Sequence, residues 1–200
     1  MTDADNRLAR VVELIDRANA HDPNTEPVDG QDAPKEWIYG RRMSAALEKF
    51  APDASEALKI AARAQHIERW TSPRTDYPEG KIGYHQWRND LKKFHAQRAG
   101  ELMAEVGYDE TTIARTQFLI RKEKLKSDSE TQALEDVVCL VFLEFYFEPF
   151  AAQHPDDKVI DILQKTWRKM SPAGHDAALA LPLSQEAKAL VGRALDGMVK

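Results

Sequence analysis

Hydrophobic residues recur at three- and four-residue intervals along most of the chain, which is the spacing of an amphipathic helix. Ser55 and Thr111 or Thr112 precede two of these stretches as helix caps, and Pro52 and Gly107 end two others. The helices predicted in this way cover residues 8–15, 37–50, 55–66, 87–107, 111–120, 131–150, 157–170 and 183–198. We find no strand-like alternation and no internal repeat, so we predict an all-α helical bundle of about seven to eight helices.

The chain is long enough to form one domain with one core. It has 200 residues, of which 42% are hydrophobic, and a chain of this size buries more than half of its surface on folding. We predict a single domain over residues 1–200. Its parts are an N-terminal helix and loop to about residue 35, a core from about 36 to 170, and a closing helix from about 171 to 200.

The charge pattern limits the partners of this domain. The formal net charge is −5, and 28 basic and 33 acidic residues are interspersed, which argues against nucleic acid or an anionic membrane. No run approaches the roughly 18 to 20 apolar residues of a membrane span, and the N-terminus does not resemble a signal peptide. The single cysteine, Cys139, lies in an apolar run and favours a reducing compartment. We therefore expect a cytoplasmic protein whose partner is a small molecule.

A histidine on an apolar helical face is the first sign of a functional site. His66 follows the apolar residues of the third helix and precedes Arg69, Trp70 and the pair Pro73-Arg74. If His95 and Asp136 converge on His66, the three would form the two-histidine, one-carboxylate set that binds iron, manganese or zinc. The alternative is that each histidine is an ordinary hydrogen-bonded residue.

Two adjacent acids begin the most apolar helix. Glu135 and Asp136 directly precede a run of seven apolar residues, and a buried carboxylate is costly unless it is paired or binds a metal. One of them is expected to face the protein interior. For Glu135, stabilisation of the first turn of its helix is an equally good explanation.

Basic and aromatic residues around His66 also suit an anion. The predicted substrate-binding residues are Arg69, Arg74, Tyr84, Trp87, Arg88 and Lys122. Guanidinium groups bind phosphate and carboxylate groups, and aromatic rings supply flat apolar walls. This pattern predicts a small phosphorylated or carboxylated ligand. For Lys122, a position on a solvated charged face is the alternative.

Several strings together resemble an uncharacterised family catalogued as domain of unknown function 4202. These strings are 65–70, 83–84, 87–88, Lys122, 132–136, 165–167 and 169–171. The resemblance spans almost the whole chain. It implies no activity, because none is established for that family.

A more distant resemblance is to the HD superfamily of all-helical, metal-dependent phosphohydrolases and a few di-iron oxygenases. Residues 58–67 resemble the segment with that family's His-Asp pair, and residues 132–136 resemble the segment with its last Asp. The resemblance implies an HD-like core in which His66 and Asp136 act at the metal, with Glu135 beside them. Ile67 stands where the paired Asp is expected, and the upstream helix offers no histidine.

Three kinds of function agree with these features. The first is a metal-assisted hydrolase of a small phosphorylated or carboxylated metabolite, or, in the same class, a di-iron oxygenase of the HD-like type. The second is a non-catalytic module that binds an anion or a protein partner. The third is a structural helical protein that forms a homo-oligomer through its closing helices.

Overall fold

The structure is a computed structural model that describes residues 3–198. It is 72% helical, with ten α-helices and one two-stranded sheet among the described residues. The all-α prediction is therefore confirmed, although the helices outnumber the predicted seven to eight. The chain forms two compact units, Met1–Lys124 and Leu125–Lys200.

The first unit contains five helices and the small sheet. They are α1 (Asp3–Asn19), β1 (Thr25–Val28), β2 (Gln31–Pro34), α2 (Lys35–Phe50), α3 (Glu56–Arg63), α4 (Gly80–Glu105) and α5 (Glu110–Arg121). Helix α5 packs against α3 and α4, and α2 packs against α3. The fully buried side chains of this unit include Ile15, Met43, Leu47, Leu58 and Ile60. Burial of each such side chain contributes about 1.5–3 kcal/mol.

The two strands correct the expectation that the chain has none. Strands β1 and β2 pair antiparallel, and Val28 lies opposite Gln31 across a two-residue turn. The turn residues Asp29 and Gly30 both have positive φ, of 51° and 80°, as a type I′ hairpin turn requires. Asp-Gly is a strong hairpin signal, but each strand has only four residues, too few for alternation to show. The hairpin leads directly into α2.

Helix boundaries were predicted best where a side chain caps the helix. Ser55 Oγ accepts a hydrogen bond from Leu58 N, which begins α3 as expected. Asp109, rather than Thr111 or Thr112, caps α5 by accepting from Thr112 N. Helix α4 begins at Gly80, earlier than the predicted residue 87, because the proline-rich segment before it closes into turns. Helix α3 ends at Arg63, so His66 lies in the turn after the helix rather than within it.

The second unit contains the other five helices. They are α6 (Ser129–Val141), α7 (Phe147–Ala151), α8 (Asp156–Lys169), α9 (Pro172–Leu179) and α10 (Gln185–Asp196). A π-helical segment, Phe142–Tyr146, joins α6 to α7, so the long helix predicted over 131–150 is interrupted in its backbone geometry. Helix α9 was not predicted. It begins with Ser171 as cap and Pro172 in its first turn.

Residues 3–198 contain no helix that is both long enough and apolar enough to cross a membrane.

A close approach between α2 and α3 brings together the two elements that carry the candidate site. Gly40 lies on the face of α2 that meets the end of α3, where a Cβ atom would lie 2.9 Å from the backbone oxygen of Arg63. Arg63 is fixed in turn by Asp16 of α1, which accepts from Arg63 Nε at 2.7 Å and from Nη2 at 2.5 Å. The α2–α3 distance is therefore set by the absence of a side chain at residue 40.

Replacement of this glycine is expected to destabilise the protein. Gly40→Ala places a methyl group against a backbone carbonyl that cannot rotate away, so we expect the free energy of unfolding to fall by about 1–3 kcal/mol. Urea denaturation measures the change. The control is Gly192→Ala in α10, where no atom beyond the adjacent residues and the backbone of the helix itself lies within 4 Å of the added Cβ and helix propensity predicts a gain of up to about 1 kcal/mol. Equal effects of the two substitutions would contradict the packing argument.

Candidate functional site

The site begins with Glu36, a buried acid in the first turn of α2. Its backbone is fixed by the last residue of α1 and by the segment that follows it. Asp22 Oδ2 accepts from Glu36 N at 3.0 Å, and Asn19 Nδ2 donates to Glu36 O at 3.4 Å. Asn19 is 1% exposed and its Oδ1 accepts from Glu68 N at 2.9 Å. One buried amide therefore joins the segment of Glu36 to the turn that follows α3.

That turn places His66 and Arg69 side by side. Glu68, between them, has a left-handed conformation with φ of 50°, which costs energy in a residue other than glycine. Its bond to Asn19 and its ion pair with Arg98, at 2.8 Å, hold this conformation. The turn is therefore maintained by long-range contacts rather than by local preference.

His66 lies between Glu36 and Arg69, and its two neighbours fix its tautomer. Arg69 Nη1 lies 2.9 Å from His66 Nε2, and a guanidinium can only donate, so Nε2 is the acceptor. The proton of the neutral ring is therefore on Nδ1, which donates to Glu36 Oε2 at 3.2 Å. The result is a carboxyl–imidazole–guanidinium chain.

Burial disfavours the charged forms of both Glu36 and His66. Burial raises the pKa of Glu36 to about 7; Asp22 adds to this effect, and Arg69 and Lys35 oppose it. Burial also lowers the pKa of His66 well below its usual value, and the charges of Arg69, Arg88, Lys122 and Lys35 act in the same direction. Near neutral pH His66 is uncharged and Glu36 is only partly ionised.

Aromatic rings hold the hydrogen-bonded side chains of His66 and Arg69 in place. The Tyr39 ring stacks on the His66 ring with 4.0 Å between centroids and 9° between planes. Arg69 Cζ lies 4.9 Å from the centroid of Trp87, a cation–π distance. Trp87 Nε1 donates to Ser72 O at 2.9 Å, which fixes the ring. Tyr39 therefore restricts the His66 ring, and Trp87 restricts Arg69, which donates to His66 Nε2.

A second histidine lies close to the first. The His95 ring, on α4, lies 6.0 Å from the His66 ring, and its Nδ1 donates to Ile67 O at 2.8 Å. This bond leaves Nε2 as an acceptor, which is buried and has no hydrogen-bond partner among the described residues. Burial lowers the pKa of His95 to about 3, with His66 as the next cause, so the ring is neutral.

The predicted anion-binding residues divide into two groups. Arg69, Arg88 and Lys122 all influence His66 electrostatically, and Tyr84 influences Arg69. The structure thus brings them, with Trp87, to one neighbourhood. Arg74 instead donates to the carbonyl oxygens of Tyr77 and Pro78, each at 2.9 Å. Its guanidinium closes the loop before α4, and its predicted contact with substrate stays a prediction.

The predicted acids belong to the second unit, where their own contacts explain their burial. Asp136 is 1% exposed and accepts from Ser171 N at 2.8 Å, from Ser171 Oγ at 2.7 Å and from Gln132 Nε2 at 3.1 Å. It anchors the start of α9. Glu135 is also buried, with Oε1 3.6 Å from Lys169 Nζ. The capping role considered for Glu135 is filled by Asp128, which accepts from Thr131 N.

The surroundings of His66 fit an anion better than a divalent cation. Both histidines have the anchored Nδ1 that is typical of metal ligands, but Arg69 donates to His66 Nε2 and four cationic side chains act on the ring. Among residues 3–198 no group of three or more His, Cys, Asp or Glu side chains could hold a metal ion. The predicted set of His66, His95 and Asp136 stays a prediction.

Sequence reasoning missed Glu36 and gave Tyr39 no role. An acid in the first turn of a helix is ordinary, because it interacts favourably with the helix dipole. The signal that was available is the string Pro34-Lys35-Glu36-Trp37, in which an acid directly precedes an apolar helical face. Its burial against a histidine 30 positions away is not visible in any local pattern.

Comparison with known proteins identifies a family whose function is unknown. The model of the family described as a domain of unknown function (DUF4202) matches residues 9–191. The chain belongs to this family. No curated protein and no solved structure matches it. The predicted resemblance to this family is thus confirmed, whereas the resemblance to the HD superfamily stays a prediction.

The arrangement supports two chemical actions. Arg69 and Arg88 supply charge-assisted donors to an anionic group. If Arg69 turns from His66 to such a group, His66 Nε2 becomes a free lone pair on a neutral imidazole whose other nitrogen is held by a carboxyl. That is the geometry of a general base.

The tautomers of both histidines are directly testable. Long-range proton–nitrogen NMR on labelled protein is expected to show Nδ1 protonated and Nε2 unprotonated in His66 and in His95. Both rings are expected to stay neutral as the pH falls below the usual histidine pKa of about 6.5, because burial disfavours the charged form. The same chain in urea provides the reference titration. Protonation of Nε2 in neutral His66 would contradict the chain drawn from Glu36 to Arg69.

Proposed function

We propose that the first unit binds a small phosphorylated or carboxylated molecule, with Arg69 and Arg88 holding its anionic group. The observation that supports this most directly is the chain from Glu36 through His66 to Arg69. In it the guanidinium donates through Nη1 to a neutral imidazole at 2.9 Å, whereas its nearest carboxylate contact, from Nε to Glu36 Oε1, is 4.0 Å. An anion offers that guanidinium a stronger partner, since charge-assisted bonds are about twice as strong as neutral ones.

The balance of charge supports the same conclusion. Arg69, Arg88, Lys35 and Lys122 act on His66, whereas the acid in contact with the ring, Glu36, is only partly ionised near pH 7 because its pKa is about 7. Among the described residues Arg88 has no ion pair or hydrogen bond. Positive charge therefore exceeds negative charge around the ring.

The site is accessible from solvent. The side chain of His66 is 22% exposed and that of Arg69 is 23% exposed, whereas Glu36 and His95 are buried. A ligand therefore reaches the guanidinium and the imidazole first. Trp87 and Tyr84 lie beside that approach, since Arg69 stacks on Trp87 and the two rings are 6.0 Å apart.

Anion affinity is expected to fall as the pH rises through about 7, the pKa of Glu36. Ionised Glu36 places a negative charge beside Arg69 and competes with the ligand. His66 stays neutral in this range, because burial holds its pKa well below the usual value. Calorimetry with sulfate, whose charge is constant here, is expected to show a loss of roughly tenfold between about pH 6 and pH 8.5.

Two substitutions sharpen this test. Glu36→Gln keeps the acceptor for His66 Nδ1 but cannot ionise, so its sulfate affinity is expected to be independent of pH and equal to the low-pH affinity of the wild type. Arg88→Gln is expected to weaken binding at every pH, whereas Lys93→Gln, on the same helix and exposed, is the control for lost charge. Equal sulfate binding by Arg88→Gln and Lys93→Gln would overturn the proposed site.

Metal-assisted hydrolysis of an HD-like type is the second candidate. The observation that favours it is the anchored Nδ1 of His66 and of His95, together with the unpartnered Nε2 of His95. This function also needs further ligands and the displacement of Arg69 from His66. The predicted further ligand is Asp136.

Metal content distinguishes the two candidates. Elemental mass spectrometry on untagged protein is expected to show less than one metal per chain if the site binds an anion. About one or two metals per chain, lost in both His66→Ala and Asp136→Ala, would establish the hydrolase instead.

Asp136→Ala alone is expected to cost about 1–3 kcal/mol in unfolding free energy, because Ser171 N and Oγ lose their acceptor.

A further inference from the structure

His95 has a hydrogen-bonding capacity that the protein itself does not use. The ring is 2% exposed, and its Nδ1–H is committed to Ile67 O. Its Nε2 is buried and has no partner among the described residues. Leaving a buried acceptor unsatisfied is costly, so native proteins rarely do so without a reason.

The position of this acceptor connects it to the anion site. The His95 ring lies 6.0 Å from the His66 ring, and the positive charges of Arg69 and Arg88 act on it as well as on His66. An anion that replaces His66 Nε2 as the partner of Arg69 Nη1 lies beside the His66 ring, and the His95 ring is the neighbouring ring. One small molecule can therefore contact the arginines and His95 together.

The chemistry of the acceptor restricts what that second group can be. The lone pair of a neutral imidazole accepts a hydrogen bond and therefore needs a donor. A carboxylate or a carbonyl oxygen has only lone pairs to offer and would be repelled. An ammonium group is a donor, but Arg69 and Arg88 disfavour a second cation nearby. A neutral donor is left, of which the hydroxyl group is the simplest.

We propose, resting on the anion site described above, that the ligand is a hydroxylated anion whose hydroxyl group donates to His95 Nε2 while its anionic group binds Arg69 and Arg88. Short-chain hydroxyalkyl phosphates and hydroxy acids belong to this class. His95 then acts as a specificity-determining residue that separates hydroxylated from unsubstituted anions of the same charge.

The experiment compares two probes that share an anion and a carbon chain. Glycerol 3-phosphate carries hydroxyl groups that n-propyl phosphate lacks. Calorimetry at one pH is expected to show roughly 5- to 100-fold tighter binding of glycerol 3-phosphate, the range expected when a buried acceptor gains or loses its donor. His95→Phe, which keeps a ring but has no acceptor, is expected to bind both probes with the affinity that the wild type has for n-propyl phosphate.

A measurement on the wild type avoids any dependence on how that variant folds. The nitrogen NMR resonance of His95 Nε2 is expected to move towards lower frequency when glycerol 3-phosphate is added, as a lone pair does when it accepts a hydrogen bond. Addition of n-propyl phosphate is expected to leave it in place. A movement with both probes, or with neither, overturns the role of His95.

The outcomes separate the two proposals. If neither phosphate binds, or if Arg88→Gln binds both as the wild type does, the anion site itself is wrong. If both bind with equal affinity and the His95 resonance is unmoved, the anion site stands and the hydroxyl preference is overturned. Equal binding is also the result expected if a permanent buried water satisfies His95.

Discussion

The burial of one carboxyl group determines the character of the site. Glu36 is held by Asp22 and Asn19 at its backbone and by His66 at its side chain, in a place where ionisation is costly. Its pKa of about 7 means that the acid only partly neutralises the cations beside it. The same burial keeps His66 uncharged. A fully ionised carboxylate here would neutralise Arg69, whose Nε lies 4.0 Å from Glu36 Oε1, and would leave little affinity for an anion.

Long-range contacts maintain this burial. The turn that carries His66 and Arg69 contains a left-handed Glu68, which Asn19 and Arg98 hold from two other helices. The approach of α2 to α3 at Gly40 places Glu36 next to that turn. The site thus depends on contacts from α1, α2 and α4, although its polar groups are few. This explains why a small change in packing far from His66 is expected to alter its chemistry.

The two units illustrate different uses of buried acids. In the second unit Asp136 has three hydrogen-bond donors around its oxygens, so its burial is explained by the start of α9. In the first unit Glu36 has fewer donors, and burial raises its pKa to about 7. A buried acid whose pKa is shifted, such as Glu36, is a candidate for function. The apolar sequence around Asp136 gave the stronger signal, but the structure gives that signal a structural explanation.

The sequence by itself determined most of the helices, because hydrophobic spacing and caps such as Ser55 act over a few residues. It also indicated Arg69, Trp87 and Arg88, since an arginine beside aromatic residues is rarely a plain solvated charge. Only the tertiary structure decided that Arg74 closes a loop, and that Glu36 meets His66 across 30 positions. The physical reason is that desolvation and hydrogen bonding between distant segments depend on how the helices pack, and no local pattern records that packing.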